Sequence, residues 1–102
     1  MTKKFPKEEL FSLTSQIHRA ALSVLLNIAE GSDRKSDIEF IRFLRISHSS
    51  LQEVVSASYI ALDQKYLQKE DFNIIYTQSH QIAKKLNSLI ASLKNASPQL
   101  DK

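Results

Sequence analysis

The chain reads as an all-α protein: an elongated antiparallel helical bundle with three helices. Three observations predict this. One Gly and two Pro among 102 residues leave little material for turns, so the elements must be few and long. Apolar residues recur at spacings of three and four along most of the chain, which is the period of an amphipathic helix. Turn signals concentrate around Gly31 and between Asp63 and Gln68. This length is that of one domain, 1–102, which buries only about two-thirds of its unfolded surface.

Residues 1–12 are expected to be a lead-in. The first helix is placed from about Thr14 to Glu30, with Ser12 or Thr14 as cap and Gly31 as terminator in the left-handed conformation. Ile17, Ala20, Ala21, Val24 and Ile28 form its core stripe. Leu22, Leu25, Leu26 and Ala29 carry apolar surface well round the cylinder, leaving a narrow polar edge at Arg19, Ser23, Asn27 and Glu30. A helix apolar on most sides needs burial on most sides, so self-association is expected, with no stable monomer.

The second helix restarts after Ser36-Asp37-Ile38-Glu39, a capping-box pattern, and runs to about Leu62. Its seam is Phe40, Phe43, Leu44, Ser47, Leu51, Val54, Ser58 and Ala61, spaced as in bundles crossing near 20°. The small Ser47 and Ser58 allow close approach. At 1.5 Å per residue this helix is about 39 Å long. After the turn at Asp63–Gln68, the third helix is placed from about Glu70 to Lys94. Its stripe is Phe72, Ile75, Tyr76, Ser79, Ile82, Ala83, Leu86, Leu89, Ile90 and Leu93. Residues 95–102 read as a frayed tail.

The absence of Cys excludes disulfides and thiolate metal sites. The first residues, MTKKFPKEEL, have no apolar core of signal-peptide length. The longest apolar stretch, Ala20 to Leu26, is interrupted by Ser23 and is too short to span a bilayer. A cytoplasmic protein without a membrane partner is expected. A net charge of +3 and a pI near 9.3 permit an anionic partner without demanding one.

Five ordered blocks identify a resemblance. They are Phe5-Pro6-Lys7-Glu8-Glu9, Leu13-Thr14-Ser15-Gln16-Ile17, Arg19-Ala20-Ala21, Asn27-Ile28-Ala29-Glu30-Gly31 and Glu39-Phe40-Ile41-Arg42-Phe43-Leu44. Together they resemble the four-helix-bundle family of the 23S rRNA intervening-sequence proteins. The pattern departs from that family in three ways. A tryptophan-bearing helix normally precedes the Phe5-Pro6 stretch; Leu25 lies near a usual proline; His18 replaces a usual basic residue. The resemblance implies a small cytoplasmic bundle that assembles into a ring, commonly a pentamer. It also implies nucleic-acid binding, since relatives serve diversity-generating retroelements beside a reverse transcriptase and its RNA.

The candidate nucleic-acid-binding residues are Arg34, Lys35, Arg42 and Arg45, with Arg19 expected near them across the turn. A symmetric ring would repeat this patch. The competing reading is a solvated face balanced by Asp33, Asp37 and Glu39. Candidate oligomer contacts are Leu22, Leu25, Leu26, Ile41, His48 and Tyr59. Arg42 and His48 have the spacing of the Arg-to-His signature in HEPN-type ribonucleases, making them the weak candidates for catalysis. On one helix, however, they point about 120° apart, so a helix-flank His48 packing at an interface is the bland alternative. No catalytic set, metal site or cofactor is predicted: His18, His48 and His80 are scattered, and no phosphate-cradling Gly loop is present. Stacking platforms are not expected, because Phe40, Phe43, Phe72 and Tyr76 fall on core stripes. The resulting expectation is a non-enzymatic oligomeric bundle binding structured RNA or DNA through phosphates. The alternative is a protein-interaction scaffold or accessory subunit of an enzyme such as a reverse transcriptase.

Overall fold

The computed structural model describes residues 6–96, which form three helices. These are α1, Pro6–Ser32; α2, Asp37–Asp63; and α3, Lys69–Ala96. They make an elongated body of 52 × 27 × 21 Å. The second helix lies between the other two, and α1 and α3 make little contact with each other. The packing is antiparallel: Ser23 meets Ser50, Ser47 meets Val24, and Tyr59 meets Phe72.

Two helix boundaries differ from expectation. Helix α1 begins at Pro6, so the part of the lead-in within the described residues is helical. Pro6 stands at the first helical position, where its missing N–H costs nothing, and Glu8 and Glu9 favour the positive end of the helix. Thr14 is no cap; its Oγ1 donates to the Leu10 carbonyl at 2.8 Å, within the helix. Helix α3 reaches Ala96, so the start of the expected tail is ordered helix, while residues 97–102 lie outside the described residues.

Gly31 is the second correction. The helix passes through it to Ser32, and the residue has no positive φ. Its role is close approach. A Cβ built on Gly31 would stand 2.8 Å from Phe43 Cβ and 2.9 Å from Phe40 Cδ1. The left-handed residue is instead Lys65, φ 64°. There Tyr66 N–H donates to the Ala61 carbonyl at 2.8 Å and Lys65 N–H to the Leu62 carbonyl at 3.0 Å. That is the Schellman pattern, which satisfies the last carbonyls of α2.

Ser36 caps α2 as expected, its Oγ accepting from the Glu39 N–H at 3.4 Å. The Glu39 carboxylate turns to Arg42 instead of closing the box. The core gathers Val24, Leu44, Leu51 and Leu86, with Leu44 0% exposed. Ser47 and Ser58 are fully buried in the seam. Their hydroxyls donate to the carbonyls of Val24 (2.9 Å) and Val54 (2.7 Å), so the helices come close without an unpaired polar atom. Asn27 belongs to the same seam: Nδ2 donates to the Ser23 carbonyl at 2.8 Å, and Ser23 Oγ lies 2.9 Å from Ser50 Oγ.

A longer-range tie joins the turn before α3 to the start of α1, where the Tyr66 hydroxyl donates to Glu9 Oε2 at 2.9 Å. Partial burial, then the hydrogen bond and negative charge of Glu9, push the phenol above its ordinary value of 10.0. A raised phenol pKa means the folded state favours the neutral form. The contribution is full below pH 10.0 and is lost as pH rises through the higher folded value. In an alkaline phenolate titration, one of the three tyrosines should therefore ionise late. Tyr66→Phe should remove that late step, and a late step unchanged in the variant would refute the assignment.

Candidate nucleic-acid interface

The α1–α2 connection brings three elements to one corner. Gly31 lets α2 approach, Ser36 starts it, and Phe40 and Phe43 pack over the end of α1. Phe43 is half-buried and offers a ring to two guanidinium groups. The Arg34 Cζ lies 5.2 Å from its centroid and the Arg42 Cζ 4.9 Å from it. Each arginine is also held by a carboxylate. Arg34 pairs with Glu30 one turn back, and Arg42 Nε donates to Glu39 Oε2 at 2.9 Å. Both ion pairs are largely exposed and contribute little to stability. What they do is orient: cation–π contact and carboxylate together restrict two long side chains.

Lys35 and Arg45 are exposed and have no ion-pair partner among the described residues. The corner also carries Asp33 and Asp37, so its net charge is small. What the corner offers an anion is therefore directed donors and not a strong net field. A guanidinium has five N–H groups, and a single carboxylate contact leaves most of them free for a phosphate oxygen.

Arg19 does not join this cluster. It lies 12 positions before Gly31 on a continuous helix, about 18 Å along the axis. Its neighbours there are Phe11, Ser12 and Ser15. The expectation of contact across the turn fails because α1 continues as one helix past Arg19 to Ser32 before the chain turns.

The remaining candidates separate as well. Arg42 sits over Phe43 at the corner, whereas His48 lines the groove between α2 and α3. The arginine and histidine needed for ribonuclease chemistry are not brought together. Ile41 is only 7% exposed and offers no surface for a subunit contact, because this position of α2 is covered within the chain. Leu22, Leu25 and Leu26 are exposed, Leu25 at 65%. Tyr59 is exposed but already packs its ring on Phe72, centroids 4.6 Å apart. Among the described residues, no three His, Asp or Glu side chains gather so as to hold a metal ion. Nor is any described helix long and apolar enough to cross a membrane.

Two features escaped the sequence reading. Phe43 falls on the core seam by spacing, yet its ring organises the arginines; Arg at nine residues before and one residue before it is the available signal. Tyr76 falls on a core stripe by spacing but is 44% exposed, because α3 has one neighbour and not two.

An antiparallel three-helix array, with oriented arginines at one corner and an uncovered apolar face on α1, defines a helical-bundle protein. The model of the 23S rRNA-intervening sequence protein family matches residues 1–88, and the chain belongs to that family. The family description names no reaction. Comparison with curated proteins gives no match.

Proposed function

We propose that this protein is a non-enzymatic, self-associating helical bundle that binds structured RNA or DNA through backbone phosphates. Arg34, Lys35, Arg42 and Arg45 supply the contacts. The observation that carries the reading is the pair of guanidinium groups held over the Phe43 ring, with two exposed cations, Lys35 and Arg45, that have no ion-pair partner among the described residues. Membership in a family named for a 23S rRNA intervening sequence supports the ligand class. None of the four residues lies at a groove floor that could read bases, so contact through phosphates is expected to be insensitive to sequence. The test is charge reversal of Arg42 and Arg45, read in a salt-dependent binding assay with a structured RNA fragment.

Self-association is supported by the uncovered apolar surface. Leu22, Leu25 and Leu26 are exposed on α1. A shallow apolar groove of about 320 Å³ lies over α2, with Leu25 on one lip and Ile75 and Ile82 on the other. Isolated exposed leucines are ordinary, but a contiguous stripe is not. Light scattering is expected to give a mass well above the 11.6 kDa of one chain. A monomeric mass with a cooperative melt would overturn this part.

The same stripe favours a second reading, a scaffold or accessory subunit that holds a partner enzyme such as a reverse transcriptase. Absence of any nucleic-acid shift, together with a monomer whose leucine face remains open, would transfer the assignment to it.

A further inference from the structure

The groove between α2 and α3, about 560 Å³ and distinct from the arginine corner, has the size of a small-ligand site. On its α3 wall, Tyr76 and His80 are one turn apart with rings 5° from parallel and centroids 6.2 Å apart. Tyr59, 51% exposed, stands edge-on to Tyr76 at 6.4 Å and extends the aromatic surface. Leu51, Val55 and Ala83 contribute apolar lining. The polar lining is Gln52 and Asn87, whose amides both donate and accept, with Lys84 and His48. Among the described residues, no carboxylate lines this groove.

These features select a ligand class. Two parallel rings favour a flat aromatic solute, since a ring laid on one is aligned with the other. Amides able to donate and accept suit the edge of a heterocyclic base. An ammonium with no carboxylate nearby suits a phosphate one sugar away. An amphipathic peptide helix would need a continuous apolar trough, which is the character of the α1–α3 groove and not of this one.

We propose that the α2–α3 groove binds an unpaired nucleotide of a single-stranded nucleic acid. The base stacks on the Tyr76–His80 surface, Gln52 and Asn87 meet its edge, and Lys84 takes the adjoining phosphate. This deepens the nucleic-acid reading by adding a site for unpaired bases to one for phosphates. It also predicts a preference for RNA whose helices are interrupted by loops or bulges.

The experiment compares a short labelled oligoadenylate with a blunt RNA duplex of the same length, titrated into the full chain by fluorescence anisotropy. Tyr76→Ser/His80→Ser is expected to lose about tenfold or more in affinity for the single strand, with duplex affinity unchanged. Tyr76→Phe, which keeps the ring, should bind like the unaltered protein. Lys84→Glu, at an exposed position, should weaken single-strand binding severalfold and decides the matter if the double variant fails to fold. Unchanged single-strand affinity in the folded double variant, or in Lys84→Glu, overturns the groove while leaving the arginine corner standing. Conversely, Arg42→Glu/Arg45→Glu without effect, beside a loss in the groove variants, removes the corner and keeps the groove. Binding of neither probe by the unaltered protein overturns both.

Discussion

Gly31→Ala is expected to destabilise the fold by about 1–3 kcal/mol, the range for overpacking a well-filled contact. Intrinsic propensity argues the other way. Gly31 lies within α1 at ordinary helical φ, and alanine there gains up to about 1 kcal/mol over glycine. Sterics should win. The new methyl would meet Phe43 Cβ at 2.8 Å and Phe40 Cδ1 at 2.9 Å, with the Phe40 carbonyl oxygen at 3.4 Å. The first of these is fixed to the α2 backbone and cannot swing aside as the end of a flexible chain could. Relief requires α2 to move off α1 at the corner where Phe43 holds Arg34 and Arg42. Chemical denaturation of both proteins measures the difference. A more stable alanine variant would mean that the helices separate at little cost and that close approach is not the reason for the glycine.

Arg42→Glu/Arg45→Glu is expected to lower affinity for structured RNA roughly 100-fold at low salt and to reduce the log–log salt slope by about 2. Two effects combine. The substitution removes two phosphate donors and places two carboxylates in their stead, one beside Glu39. Stability should change little, because the Arg42–Glu39 pair is exposed and both arginines lie on the solvent face of α2. Arg34 would keep its place over Phe43 and its pair with Glu30, so residual binding is expected. Far-UV circular dichroism and a thermal melt establish that the variant is folded. Affinity and salt slope equal to the unaltered protein would show that the phosphates contact another surface. Loss of affinity with no change in slope would point to a structural effect on the corner.

Local signals that depend on one stretch of chain were readable in advance. Three helices, the Ser36 cap and the buried Ser47 and Ser58 follow from period and residue type, and they appear as expected. Pro6 with Glu8 and Glu9 is also a legible helix start, and a competing one follows at Thr14, whose hydroxyl bonds within the helix. Lys65 was harder. A lysine in the left-handed region costs about 1 kcal/mol or more, so no sequence rule places it there; the Schellman bonds to Ala61 and Leu62 impose it.

Sequence patterning alone therefore settled the number of helices and their order, because 3.6-residue periodicity and capping are properties of the isolated chain. Helix neighbours were beyond its reach. Period marks Tyr76 and Ile82 as core and Ile41 as flank, but burial depends on how many helices surround a face. With α2 between the other two, Ile41 is covered while Tyr76 and Ile82 stay open. Register is likewise a tertiary property. Gly31 against Phe43 sets how α1 and α2 slide, and that slide places Arg34 beside Arg42 and leaves Arg19 on a separate surface.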